Sequence, residues 1–240
     1  MGRASFKGRN IPLEVSAVSG WLRFDHATIT GSGYSSVPDM LNVNPAIQTT
    51  DARRPVQAFS NNGFPIATFT DDVLQWPLQT YNNGDVKWGI GCWIKLANTA
   101  GIKVLATITN TAGGASANKN NPLITGSAMR IDDQPVDRHA QGGTLNTSWH
   151  FVTYEVDCSQ STEATQVLLS IDTVLQSVSF NSGTPWSSNW GSPTGNMLIG
   201  ASTLVPNSPF VGSIGPNIYT FSRQLTAAER TALMNFEQPT

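Results

Sequence analysis

Apolar and polar positions alternate most clearly in VKWGIGCWIKL, residues 86–96. Val86, Trp88, Ile90, Cys92, Ile94 and Leu96 fall on one side, and Lys87, Gly89, Gly91, Trp93 and Lys95 on the other. That period of two predicts a strand. GIKVLATITN (101–110) predicts a second strand. SAMRID (127–132), WHFVTYEVD (149–157), QVLLSID (166–172) and VLQSVSF (174–180) predict more, the last two parted by a tight turn at Asp172-Thr173. MLIGAS (197–202) and FVGSIGPNIYTF (210–221) complete the β portion. NTAGGASANKNNP (110–122) reads as a flexible turn region and NSGTPWSSNWGSPTGN (181–196) as a long loop. From Gly31 to Asn62 the chain is turn-rich, which predicts irregular loops with short strands.

The pattern changes only at RQLTAAERTALMNFE, residues 223–237. Thr226 and Glu229 form a capping-box signature, and Ala232, Leu233 and Phe236 recur at helical spacing. A helix this short is marginal alone. It is expected to lie on the β core with Leu233 and Phe236 inward, closing an edge or end. At the other end, residues 1–19 have too few apolar positions for a core of their own. They read as a docking arm, and the compact domain is expected to run from Gly20 to Thr240.

Charged residues are 12% of the 240, about half the usual share, and the net charge is −2. Such a balance offers no electrostatic footprint for nucleic acid or an anionic membrane, so neither is expected as a partner. No apolar run approaches a membrane span. MGRASFKGRNIPLEV lacks the apolar region of a secretory signal, which predicts synthesis and retention in a cytoplasm. Met1-Gly2 hints at myristoylation, but Phe6 stands where that pattern wants Ser or Thr. Cys92 and Cys158 are the only cysteines; a structural disulfide between them is one reading, and two buried free thiols are the favoured one in a chain without a secretion signal.

Several segments, in order, resemble the laminin G-like jelly rolls of the concanavalin A-like lectin and glucanase superfamily, in its phage and bacterial branch. They are GWLRFDHATI (20–29), IQTTDARRPVQAFSNNGFPIATFTDDVLQWP (47–77), GIGCWIKL (89–96), WHFVTYEVD, MLIGAS and the closing FVGSI, IYTFSRQL and TAAERTAL. The resemblance spans about Gly20 to Phe236. It implies an all-β fold: a two-sheet antiparallel jelly-roll sandwich with about six or seven strands per sheet and one short C-terminal helix. It also implies that a concave sheet, or the loops at its rim, holds sugar. FTDDV (69–73) departs from the branch's F-D-G-x-D pattern, near which some relatives build a calcium site.

Glucanases of that superfamily place E-x-D-x-E on one strand, since retaining glycoside hydrolysis needs paired carboxylates. The nearest string is Glu155-Val156-Asp157-Cys158-Ser159, which lacks the third acid. Glu155 and Asp157 would share a face, which leaves a degenerate site conceivable, but a solvated strand edge running into a turn is the favoured reading, and no catalytic residue is expected. His26, His139 and His150 have no metal-ligand spacing. Asp71-Asp72 and Asp132-Asp133 are candidate cation ligands, but adjacent residues on a strand face opposite ways. Structural turns are favoured, and calcium, although conceivable, is unsupported; no cofactor is expected. Trp186 and Trp190, with Asn189 between them, are candidate sugar-binding residues, the alternative being that both rings cover a loop or a neighbouring subunit. Trp93 shares its face with Gly89 and Gly91, small neighbours that would leave its ring accessible as a groove platform; core packing is the competing fate.

Relatives sharing the RRP (53–55) and LTAAER (225–230) segments are often encoded among phage structural genes. The resemblance therefore implies a non-enzymatic virion protein, a capsid decoration or tail-associated module at the virion surface, assembled in the host cytoplasm. Its partners would be capsid or tail proteins, docked through Arg3, Phe6, Lys7 and Arg9, with further copies of itself and surface glycans as other candidates. The alternative is a carbohydrate-binding module or adhesin. A polysaccharide hydrolase or lyase is the weakest reading.

Overall fold

A computed structural model describes residues 15–41, 44–77, 87–109, 119–133, 138–181, 196–203 and 208–240. In chain order the strands are β1 (Val18–Arg23), β2 (Thr28–Thr30), β3 (Gly33–Val37), β4 (Ala46–Ile47), β5 (Val56–Phe59), β6 (Pro65–Phe69), β7 (Leu74–Pro77), β8 (Lys87–Leu96), β9 (Ile102–Val104) and β10 (Ala106–Thr109). They continue as β11 (Lys119–Thr125), β12 (Ala128–Asp133), β13 (Arg138–Gly142), β14 (Trp149–Asp157), β15 (Val167–Ile171), β16 (Val174–Leu175), β17 (Val178–Phe180), β18 (Asn196–Ile199) and β19 (Gly212–Phe221). Two α-helices are described, a single turn α1 (Glu163–Gln166) and the C-terminal α2 (Ala227–Asn235), besides two short 3-10 turns at Phe24–His26 and Asp51–Arg53.

The strands pair antiparallel into two layers, as an all-β sandwich requires. The front layer runs β1–β19–β8–β14–β15–β16. Where β1 leaves β19, β6 takes its place along Gly212–Ile214. The back layer runs β3–β4–β7–β18–β10–β11–β12–β13–β17, with β9 also on β11. At one corner β5 pairs with β6 and touches β3, joining the layers.

The alternation in β8 dictates the main core. Trp88, Ile90, Cys92, Ile94 and Leu96 point between the layers, where they pack with Val152, Tyr154 and Val156 of β14 and with Met129, Ile131, Met197 and Ile199 of the back layer. The Tyr154 hydroxyl crosses the gap to donate to the Leu123 carbonyl at 2.9 Å, so even this buried phenol is satisfied.

A second apolar cluster lies on the outer side of the front layer. Trp21, Trp93, Phe151, Tyr219 and Phe221 of the sheet meet Leu233 and Phe236 of the C-terminal helix. The capping box forms in full: Glu229 N–H donates to the Thr226 hydroxyl, and the Glu229 carboxylate accepts from Thr226 N–H at 2.8 Å. The protein is therefore layered back sheet, front sheet, helix.

Four expectations change. Residues 119–122, read as part of a flexible turn, open strand β11, which is flanked by β12 on one side and by β9 and β10 on the other. Its Asn121 is buried and accepts from the Thr107 hydroxyl at 2.8 Å, so a polar residue serves a sheet interior. GIKVLATITN and VLQSVSF each break into two short strands, at Leu105 and at Gln176-Ser177. Finally, the compact part begins before Gly20: Val15 and Ala17 are buried in the helix-side cluster, and Ser222 N–H donates to the Ala17 carbonyl at 2.9 Å.

Candidate functional site

Most candidate residues fall outside the described residues: Trp186, Asn189 and Trp190 of the long loop, and Arg3, Phe6, Lys7 and Arg9 of the arm. Trp93 is described, and it is not an exposed platform. It is 4% exposed, its ring centroid lies 5.7 Å from that of Phe151, and its indole N–H donates to the Met234 carbonyl of the helix at 3.2 Å. The small neighbours work the opposite way from the accessible-platform expectation. A Cβ on Gly91 would come 2.8 Å from the Phe221 ring, and one on Gly89 2.7 Å from it. The two glycines let Phe221 lie against the sheet, and the helix then seals the face.

The carboxylates of β14 have structural roles, although they are not the solvated edge that the sequence predicts. Glu155 is fully buried. It accepts from Arg230 Nε and from its terminal guanidinium nitrogen, each at 2.8 Å, from Leu225 N–H at 2.8 Å and from the Thr153 hydroxyl at 2.6 Å. A desolvated carboxylate is tolerable only when paired and bonded in this way. The bidentate pair clamps the helix to the centre of the front layer. Asp157 is held below the usual carboxylate range: hydrogen bonds from Ser159 and Gln160 and the nearby Lys87 outweigh burial, which alone would raise it. Neither acid faces an open cleft.

Other titratable groups are similarly committed. His150 bonds Asp172 at 2.8 Å and Asn146 at 3.0 Å, and Asp172 also accepts from Phe151 N–H, fixing the turn before β16. Asp72 accepts from Thr70 N–H at 2.8 Å within a turn, and burial raises its pKa. Asp132 pairs with Arg130. Among the described residues no group of three His, Cys, Asp or Glu side chains could hold a metal ion. Cys92 and Cys158 are both buried, and burial pushes the Cys92 thiol well up, away from thiolate chemistry.

The outer face of the front layer is only half covered by the helix. On the other half, register aligns one residue from each of five neighbouring strands: Val56 opposite Thr68, Thr68 opposite Ser213, Ser213 opposite Lys95, and Lys95 opposite Trp149. Directly paired residues share a face, so these five side chains form one row. An open groove of about 270 Å³ runs over it, with Thr68, Ser213, Lys95 and Trp149 in its floor and walls. The β5–β6 turn makes its rim, where Phe59 is 63% exposed. The chain beyond the helix is stitched to this rim: Asn61 N–H donates to the Thr240 oxygen at 2.7 Å, and the Asn62 side-chain amide to the Gln238 carbonyl at 2.8 Å. Aromatic surface beside hydroxyl, amide and ammonium groups is a chemistry that stacks on a polar ring and bonds its hydroxyls. Sequence reasoning missed this row. Its signal was the outward half of each strand alternation, but only pairing register brings the five positions together.

No protein-family model matches the chain, and no curated protein matches it. Solved structures do resemble it in fold. One is a botulinum neurotoxin type C structure (TM-score 0.62, 10% identity, covering 94% of this chain and 52% of that one). A second is the botulinum neurotoxin type G receptor-binding domain (TM-score 0.55, 12% identity, 90% and 50%). A third is the Trypanosoma rangeli sialidase in complex with the inhibitor DANA (TM-score 0.52, 12% identity, 90% and 32%). The chain thus spans about half the length of the neurotoxin structures it matches. At these identities the likeness establishes the β-sandwich fold.

Proposed function

We propose that this protein is a non-enzymatic carbohydrate-binding β-sandwich. The observation that carries the reading is the row Thr68–Ser213–Lys95–Trp149, left open by the described residues on a sheet whose neighbouring outer face is covered by the C-terminal helix. A rigid sheet presenting aromatic and hydrogen-bonding side chains to solvent suits a ligand that is polar, ring-shaped and weakly desolvated. The structural neighbours support it: the type C neurotoxin depends on interaction with two ganglioside molecules to enter cells, and a type D ligand-binding domain of the same fold is in complex with N-acetylneuraminic acid. The commitment of Glu155 to Arg230 and of Asp157 to its turn supports the non-enzymatic part. A glycan array probed with the full chain and with Phe59→Ala tests the reading. Binding that weakens in the variant is expected; no binding to any glycan refutes it. Incubation of bound glycans with the protein is expected to release no new reducing ends.

A finer reading places this module on a phage particle, as a capsid decoration or tail-associated protein. It is supported by the sequence resemblance at RRP and LTAAER. Both segments also have local work in the fold. Arg54 bonds the Gln48 and Thr49 carbonyls, and Arg230 clamps the helix. Pull-down on virus-like shells, with and without residues 1–19, tests the finer reading: retention lost on deletion supports it, and no retention of the full chain overturns it.

A further inference from the structure

Several described cations outside the groove have anionic partners. Arg23, Arg54, Arg130, Arg223 and Arg230 each hold a carboxylate, and Lys87 lies 3.6 Å from Asp157. Lys95 is exposed, and no ion pair to it is found among the described residues. It is also the only described residue lining the groove with a charged side chain. Its register neighbours are Ser213 on one side and Trp149 on the other. Lys103 also has no carboxylate partner among the described residues, but it is buried and donates to the Ala100 carbonyl, whereas Lys95 sets an exposed ammonium at the centre of the row with open space beside it for an anion.

We propose that the groove takes a saccharide carrying an anionic group, a carboxylate or a sulfate, with Lys95 as its counter-ion. This inference rests on the glycan-binding reading above and names the ligand class of the same site. Ammonium-to-anion hydrogen bonds are roughly twice as strong as neutral ones. The wall of Trp149 on one flank keeps part of the water away, which strengthens the pair relative to a fully solvated one. Thr68 and Ser213 share a hydroxyl–hydroxyl contact at 3.3 Å, one donor and one acceptor that can turn towards sugar hydroxyls beside the charge. Phe59 offers the apolar face at the rim.

The test is calorimetric titration of the full chain with sialylated, uronate-containing and sulfated oligosaccharides, each beside its neutral counterpart, at low and at high salt. Acidic ligands are expected to bind at least about tenfold more tightly than neutral ones, and to weaken as salt rises. Lys95→Met keeps the aliphatic stem and removes the charge. It is expected to lose about tenfold in affinity for acidic ligands, while Lys95→Arg retains most of it. Because Lys95 is exposed, unchanged melting of the variant shows that the loss is not unfolding. Carboxylate against sulfate arms tell which anion is preferred. Equal binding of neutral ligands, or acidic binding that ignores both salt and Lys95→Met, overturns this inference and leaves the glycan-binding reading standing. Absence of binding to every ligand overturns both.

Discussion

Two halves of one sheet face, both crossed by β19, β8 and β14, have opposite fates. On the half under the helix, Trp21, Trp93, Phe151 and Phe221 make an apolar floor, and one buried ion pair fixes the lid above it. On the other half the outward residues of β6, β8 and β19 are Thr68, Lys95 and Ser213, and among the described residues no helix lies over them. The strand β8 shows the change within two residues, from Trp93 at 4% exposure to the exposed Lys95. Side-chain chemistry separates the sealed half from the open one.

That contrast is open to attack by mutation. Arg230→Met leaves the Glu155 carboxylate buried and unpaired. It is expected to cost about 3–5 kcal/mol in urea unfolding, whereas Glu155→Leu with Arg230→Met together recovers most of the loss. Recovery absent in the double variant would mean that the clamp does more than compensate its own burial. Leu233→Ala, which opens a void beneath the lid, is expected to cost about 2–5 kcal/mol in the same measurement. Gly91→Ala forces the Phe221 ring away and is expected to cost about 1–3 kcal/mol. Thr226→Ala removes the cap and is expected to cost about 1 kcal/mol. On the open half, Ser213→Ala and Lys95→Met are expected to stay within about 0.5 kcal/mol of the parent. A large loss at either would erase the distinction between the halves.

Acid supplies the gentlest test of the lid. The hydrogen bonds from Arg223 pull Glu229 from its usual value near 4.5 down to about 2. A carboxyl lowered on folding stabilises above its unfolded pKa, and that support is lost as pH falls through the folded value. The contribution should therefore fade between about pH 4.5 and pH 2. Burial raises Asp72 and Glu237, so their protonation in acid acts in the opposite direction. Comparing Glu229→Gln with the parent isolates the Glu229 part: the difference in melting temperature should shrink across that window. A constant difference would mean that Glu229 acts by shape and not by charge.

Much of the architecture was legible. WHFVTYEVD became β14 residue for residue, the capping box formed at Thr226 and Glu229, and Asp172 and Thr173 take the left-handed backbone of a tight turn, with φ of 50° and 71°. These are local signals, carried within one or two turns of chain. What escaped was pairing between distant residues. Glu155 and Arg230 are 75 positions apart, and nothing near either announces the other. Trp93 was open to two readings because the glycines beside it say that something comes close but not what; the answer, Phe221, lies across the sheet. The alternation places Lys95 on the side of Trp93 and goes no further; only pairing with β14 and β19 sets it between Trp149 and Ser213.

The row Val56–Thr68–Ser213–Lys95–Trp149 crosses five strands at an interstrand spacing of about 4.8 Å, so it is a ruler of roughly 19 Å with a mark at every step. A chain molecule whose repeat matches that interval can meet every mark in turn; one with a different repeat falls out of phase after the first or second. Under the proposed glycan-binding role, length and periodicity, as much as charge, would then sort the ligands of this face.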